Sequence, residues 1–286
     1  MATITDPSQP AGSAKIGDGR ALYVDPAGGL NRFELLRAYD MYAAASMGLI
    51  DGVYTVNKFG RNPDVDTGIA LPELVWPLGG DYPYQAVAVA LEVVSLSGLD
   101  ISPAGTGMRE IVIEGLDANW VQQSATVTMN GLGIVQVAGK TWLRVFRAYG
   151  TEAGTGLTNA GLITVRVTGA GAAQAVIQAS DGQTYQTLYT IPVGKTALIE
   201  DWRCEVTDAN NTVFGEAALF TRFNDQADRP WRSRMTKGIL SGDAHELHAP
   251  IVIPEKTDLE CRVTDISASN TSVVATFTLI VFDNAA

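Results

Sequence analysis

From residue 86 onward, apolar and polar residues alternate with a period of two in short runs bounded by Gly, Asn, Asp or Pro, the pattern of strands with one buried face. The runs fall at 86–96, 109–114, 125–129, 134–137, 141–148 and 162–168, then at 173–179, 184–191, 196–207, 213–223, 259–266 and 272–282. In the last run Val273, Ala275, Phe277, Leu279 and Val281 alternate with Val274, Thr276, Thr278 and Ile280. The first set carries the larger apolar mass, so it is expected to face a core. Asn130-Gly131 and Asp181-Gly182 favour left-handed turn conformations and predict two hairpins, the first over 127–137. Short strands at this turn spacing predict antiparallel sandwiches rather than βαβ units.

Before residue 86 the pattern changes. Residues 1–30 are rich in Gly, Pro, Ala, Ser and Asp, with breakers at Asp6-Pro7, Asp25-Pro26 and Gly28-Gly29, and read as an arm without a core of its own. Asn31 is a candidate N-cap for a helix over 32–47, where Phe33, Leu36, Tyr39 and Ala43 recur at helical intervals. Gly48, Asp51-Gly52, Gly60, Pro63 and Gly68 predict an irregular stretch as far as Tyr84, carrying the aromatics Phe59, Trp76, Tyr82 and Tyr84. Such side chains must be sheltered from water, by the chain's own β region or by a partner. The expected fold is therefore mainly β. An N-terminal extended arm with one short helix spans 1–85, followed by two antiparallel β-sandwiches, jelly-roll or Ig-like, at 86–170 and 171–286. A Gly-Lys-Thr turn recurs at 139–141 and 194–196, as a duplication of the two halves or by chance.

Composition narrows the classes. The 286 residues are 46% hydrophobic and 18% charged, enough to bury a sizeable core without covalent staples. The net charge of -11 opposes wrapping a nucleic-acid backbone, which rests on neutralising phosphates, so no nucleic-acid partner is expected. Cys204 and Cys261 lack a nearby second cysteine and read as reduced core thiols, with a cross-strand pair left open. The first residues lack the charged-then-apolar order of a secretory signal, and no apolar run reaches about 18 residues. The expectation is a chain made in the cytoplasm, without a membrane partner.

Motifs of catalysis are thin. A phosphate loop needs a glycine five residues before the one preceding lysine, where Ile134 and Tyr189 stand, and a helix afterwards. The histidines, His245 and His248, lie in His-Glu-Leu-His, one residue short of the zincin spacing and close to Pro250. A surface loop is expected there and no metal site. No Gly-x-Ser-x-Gly elbow accompanies them, which removes a serine triad. Carboxylates such as Glu200, Asp201 and Glu205 are expected on solvated faces rather than as a glycosidase pair. The chain is thus read as no enzyme, with no cofactor. The basic, aromatic stretch 222–234 holds Trp231, a candidate interface anchor because Trp and Arg dominate binding hot spots.

Residues 104–120, running from Ala104-Gly105-Thr106-Gly107 through Arg109-Glu110-Ile111 to Asn119-Trp120, and 124–131, ending in Asn130-Gly131, resemble a recurrent segment of tailed-bacteriophage virion proteins from marine and freshwater phages. The resemblance continues through 143–148, 161–165, 191–197 and 251–259 and covers about half the chain. Proteins of this kind are capsid decoration or cement, head-fibre and neck or tail-fibre proteins. The resemblance implies a cement protein on the exterior of the virion, assembled in the bacterial host cytoplasm. Its partners would be the major capsid protein or head-tail junction proteins, and it would form a dimer or trimer. The residues expected to bind the partner are Phe33, Leu36, Tyr39, Phe59, Trp76, Tyr82 and Trp231. A neck or tail-fibre component is the alternative within that class. A glycan-binding adhesin using Trp120, Trp142 and Trp231 is the alternative outside it.

Overall fold

A computed structural model describes residues 13–16, 20–23, 41–68, 71–207, 212–225, 230–240 and 245–284. The described chain is mainly β, built of antiparallel sheets. A small hairpin pairs β1 (Ser13–Ile16) with β2 (Arg20–Tyr23). Sheet A runs β11 (Ala173–Ile177), β10 (Ile163–Val167), β5 (Leu91–Ser95), β8 (Val135–Gln136). Sheet B runs β7 (Gln122–Thr128), β6 (Met108–Leu116), β9 (Arg144–Ala153). Sheet C runs β12 (Leu188–Thr190), β17 (Thr257–Ile266), β14 (Gly215–Phe223), β15 (Arg232–Ile239), with β4 (Glu73–Leu74) also on β17. Sheet D runs β16 (His245–Ile253), β13 (Lys195–Val206), β18 (Thr271–Asp283), β3 (Val53–Val65).

Two larger cores follow from the alternation. One gathers Ile113, Val145 and Val127 of sheet B with Val93, Ile163, Val165 and Ile177 of sheet A. The other gathers Trp202, Phe277 and Leu279 of sheet D with Leu219, Leu259 and Val263 of sheet C. Val273, Ala275, Phe277, Leu279 and Val281 are buried, as the pattern along the last strand predicts. Ile280, on the opposite face, is buried too, because the helix α1 (Met41–Ser46) lays Ala44 and Ala45 over that end of sheet D. Cys204 of β13 and Cys261 of β17 meet inside the second core as free thiols hydrogen-bonded to each other. That bond and burial hold the Cys204 thiol well above its ordinary value, and Trp202 Nε1 donates to Cys261 Sγ at 3.4 Å.

Several expectations are corrected. The stretch before Tyr84 is not irregular over 53–65: β3 pairs with β18 from Val53↔Phe282 to Thr271↔Val65. Its proline is tolerated because β3 is a sheet edge and the register shifts between Asn62 and Val65, so no ladder bond is lost. Gly60 permits a close crossing, since a Cβ there would stand 2.3 Å from the Val75 carbonyl oxygen. Trp76 and Tyr82 belong to the same core as the C-terminal strands. Neither expected hairpin forms. Gly131 does take the left-handed conformation, but β7 pairs with β6 while β8 pairs with β5, so the turn carries the chain between sheets. Asp181-Gly182 likewise turns between β11 and β12, which lie in sheets A and C. His245 to His248 lie in β16 rather than a loop, with His245 and Glu246 paired to Trp202 and Asp201 of β13. Of the expected helix only Met41–Ser46 falls within the described residues.

Candidate functional site

The two cores are joined by a cluster of buried charge and aromatic rings. Asp258, on β17, is fully buried and accepts from Arg144 of β9 through both oxygens, Nε to Oδ1 at 2.8 Å and Nη2 to Oδ2 at 3.0 Å. Arg222 Nη2 donates to the same Oδ2 at 2.7 Å, and Thr190 Oγ1 donates to Oδ1 at 2.6 Å. Burial alone raises the Asp258 carboxyl, but Arg144 and Arg222 outweigh it and bring the group below its ordinary value. Its neighbour Glu260 goes the other way. Burial dominates over Arg262 and the Tyr84 hydroxyl, which donates to Glu260 at 2.7 Å, so this carboxyl is raised.

The rings complete the cluster. The Arg222 guanidinium lies 4.4 Å from the Tyr84 ring centroid and 4.6 Å from that of Trp231, and Arg144 lies 4.8 Å from Tyr84 and 5.1 Å from Trp120. Arg262, paired with Glu260 and with Asp81 at 2.6 Å, lies 5.2 Å from Trp231. Three guanidiniums thus meet three carboxylates. A cleft of about 430 Å³ opens beside Trp231 and Tyr84.

The sequence-predicted residues separate into three groups. Phe33, Leu36 and Tyr39 lie outside the described residues. Trp76 and Tyr82 are buried: Tyr82 stacks edge-on between Trp76 and Tyr84, and its hydroxyl donates to the Gln174 carbonyl at 3.0 Å. Both shape the junction from inside, and Tyr82 lies along the cleft beside Tyr84 and Trp231. Phe59 and Trp231 are half-buried. Phe59 packs edge-on against Tyr185 and lines a mostly apolar cleft of about 400 Å³ on the outer face of sheet D, with Val274 and Arg61. Of the aromatics named for a glycan, Trp142 is buried in the first core and Trp120 is half-buried beneath Arg144.

A surface absent from the sequence reading stands out at one end of sheets A and B. Leu96 and Leu132 are 70% and 66% exposed, and Leu99 and Ile134 are each more than half exposed. Their loops are tied together, Ser95 N donating to the Gly131 carbonyl at 3.1 Å and Gly131 N to the Asp100 carbonyl at 2.7 Å. The buried Asp100 carboxylate anchors the first loop by accepting from Ser95 Oγ at 2.6 Å, Met108 N at 2.7 Å, Ala160 N at 2.7 Å and Gly161 N at 3.0 Å. Four aliphatic side chains are therefore held out in water by a fixed backbone. Leu96 and Ile134 fall in the expected strand runs 86–96 and 134–137, but β5 ends at Ser95 and β8 begins at Val135, which leaves both in loops.

A third region is a polar cleft of about 440 Å³ where β3 meets sheet B, lined by Lys58, Glu114, Gln122, Gln123 and Arg147 among others. Lys58 is buried, and burial together with nearby Arg147 pulls its ammonium down to about 7, against a smaller upward pull from Glu114.

No protein-family model and no curated protein matches the chain. Among solved structures it is similar to that of infectious bursal disease virus, Gx strain, at 11% identity over 82% of this chain and 76% of that one, with a TM-score of 0.19. It is also similar to the infectious bursal disease virus VP2 subviral particle, at 10% identity over 88% of this chain and 82% of that one, with a TM-score of 0.16. At these scores neither likeness carries weight for fold or role.

Proposed function

We propose that the chain is a structural component of a tailed-phage virion, a cement or decoration protein that binds the exterior of the head shell and works by contact rather than catalysis. The single observation that carries the contact reading is the aliphatic patch of Leu96, Leu99, Leu132 and Ile134. Clustered exposed leucines and isoleucine on a rigid backbone are costly in water and mark a surface that meets another protein. Pre-fixing the loops also lowers the ordering cost of binding.

The choice of a shell as that protein rests on the sequence resemblance over 104–131 and its continuations, whose strands β6 and β7 lead into the patch. In this reading the two cores are two β-sandwiches welded at Asp258, and the major capsid protein is the partner. A dimer or trimer would multiply weak contacts into avidity. The assembly would form in the bacterial host cytoplasm. A neck or tail-fibre position uses the same surface and differs in copy number.

The test is quantitative gel densitometry of purified particles, joined to co-sedimentation of the recombinant chain with bare shells. A cement protein is expected at a copy number comparable with the major capsid protein, and Leu96→Ser with Leu132→Ser is expected to abolish co-sedimentation. Presence at a small fraction of the capsid protein moves the chain to the neck or tail. Absence from particles ends the reading.

A further inference from the structure

We propose that the polar cleft between β3 and sheet B is a binding site for an acidic sugar, whose carboxylate is taken by Lys58 and Arg147. The site is built from residues distant in sequence and is separate from both the aliphatic patch and the Asp258 cluster. Its cations exceed its anions. Lys58 has three protons to donate and gives one to the Phe146 carbonyl at 2.6 Å. Arg147 Nη2 donates to Gln183 at 2.8 Å, while its Nε is buried with no hydrogen-bond partner among the described residues. The carboxylate in the cleft, Glu114, accepts from the Tyr149 hydroxyl at 3.2 Å.

An ammonium held by one neutral carbonyl and a guanidinium whose one hydrogen-bonded partner is a neutral amide would both gain from an anion entering the cleft they line. A planar carboxylate suits a guanidinium edge. The remaining lining indicates what the carboxylate should be attached to. Gln122 and Gln123 spend their Nε2 groups on the Tyr189 hydroxyl at 3.2 Å and the Thr141 carbonyl at 2.6 Å, which orients each amide and leaves its oxygen to accept from a hydroxyl. Phe146 adds an apolar wall. Anion, hydroxyls and one apolar face are the chemistry of a uronic or similar sugar acid, and the volume lies within the range of small-ligand clefts.

The experiment titrates the full chain with D-glucuronate, D-glucose and acetate, by calorimetry and by NMR of the glutamine side-chain amides. Glucuronate is expected to bind saturably, with Kd of about 1 mM or tighter, and to shift the Gln122 and Gln123 amides. Glucose and acetate should each be at least about tenfold weaker, since each offers half of the recognition. Arg147→Met should weaken glucuronate about tenfold or more, and Glu114→Gln, which removes the competing anion without disturbing the core, should tighten it. No saturable binding of glucuronate overturns the proposal. Equal affinity for acetate overturns the sugar assignment, and unchanged glucuronate affinity in both variants overturns the location. None of these outcomes touches shell binding, which is read on the Leu96 and Leu132 variant.

Discussion

Charge is buried in two places in this protein and treated in opposite ways. Around Asp258 every guanidinium has a carboxylate and nearly every carboxylate oxygen has a donor, so the cluster is closed and holds the two cores together. Around Lys58 the cations outnumber the anion and a donor is left over. The first arrangement is what a buried ion pair needs in order to repay its desolvation. The second is unpaid desolvation, tolerable in a fold that gains something from it. The comparison teaches that burial of charge alone does not mark a site; the balance of donors and acceptors does.

The contrast can be broken most severely at Asp258. Asp258→Asn leaves Arg144 and Arg222 without a counter-charge and is expected to destabilise the chain by about 3–5 kcal/mol, measured by urea denaturation. Combined with Arg144→Met the loss should be smaller than the sum, because the two share one interaction. Additive effects would show that the cluster is not the joint described.

Lys58→Met should act in the opposite direction, raising stability by about 2–3 kcal/mol at pH 6. The sign follows from proton binding. The ammonium keeps its proton to about 10.5 in the unfolded chain but only to about 7 in the folded one. Between those values the unfolded state holds the extra proton, so wild-type stability gains with rising pH and the full cost stands below pH 7. The advantage of Lys58→Met should therefore shrink towards pH 10, and a constant difference across that window would refute the assignment. Arg147 and Glu114 are unchanged in the variant and serve as the common background.

Smaller effects sharpen the same contrast at the surface. Arg61 pairs with Asp181 at 2.9 Å with its side chain more than a third exposed. Arg61→Gln should cost less than about 1 kcal/mol and lose that in salt. Leu96→Ser with Leu132→Ser should change stability by no more than about 0.5 kcal/mol, as substitutions outside any core do, while removing shell binding. A large destabilisation there would mean that the patch is part of the fold rather than a contact surface.

What could be read from the sequence follows the same physics. β6, β13 and β18 were legible because each buries one face over most of its length and alternates accordingly, and β17, buried on both faces from Thr257 to Val263, was legible from its bounding turns. β3, β15 and β16 were not, and all three are sheet edges. In Arg232–Ile239 burial alternates from Arg234 on, but the covered positions Met235, Lys237 and Ile239 include a lysine, so hydrophobicity does not alternate with it. β3 and β16 contain Pro63 and Pro250, residues that argue against a strand only where both sides must be hydrogen-bonded. Tyr82 was legible as an aromatic that needs shelter from water, and Trp231 as an interface anchor in a basic stretch. Their meeting with Arg144 and Asp258 was not, because that pair is 114 residues apart and leaves no local trace. Lys58 gave no signal at all, being one polar residue in a stretch read as irregular. Phe33, Leu36 and Tyr39 lie outside the described residues and stay as expectations from helical spacing.

The pairing of β3 with β18 has a consequence for biosynthesis. Val53 finds its neighbour in Phe282, 229 residues further along the sequence. A nascent chain emerging from the ribosome carries β3 unzipped until β18 has been made, with an open ladder edge and an uncovered Lys58. Contacts of such sequence separation are slow to form and leave strand edges open to intermolecular pairing meanwhile. β18 is the clasp that closes sheet D on its earliest member.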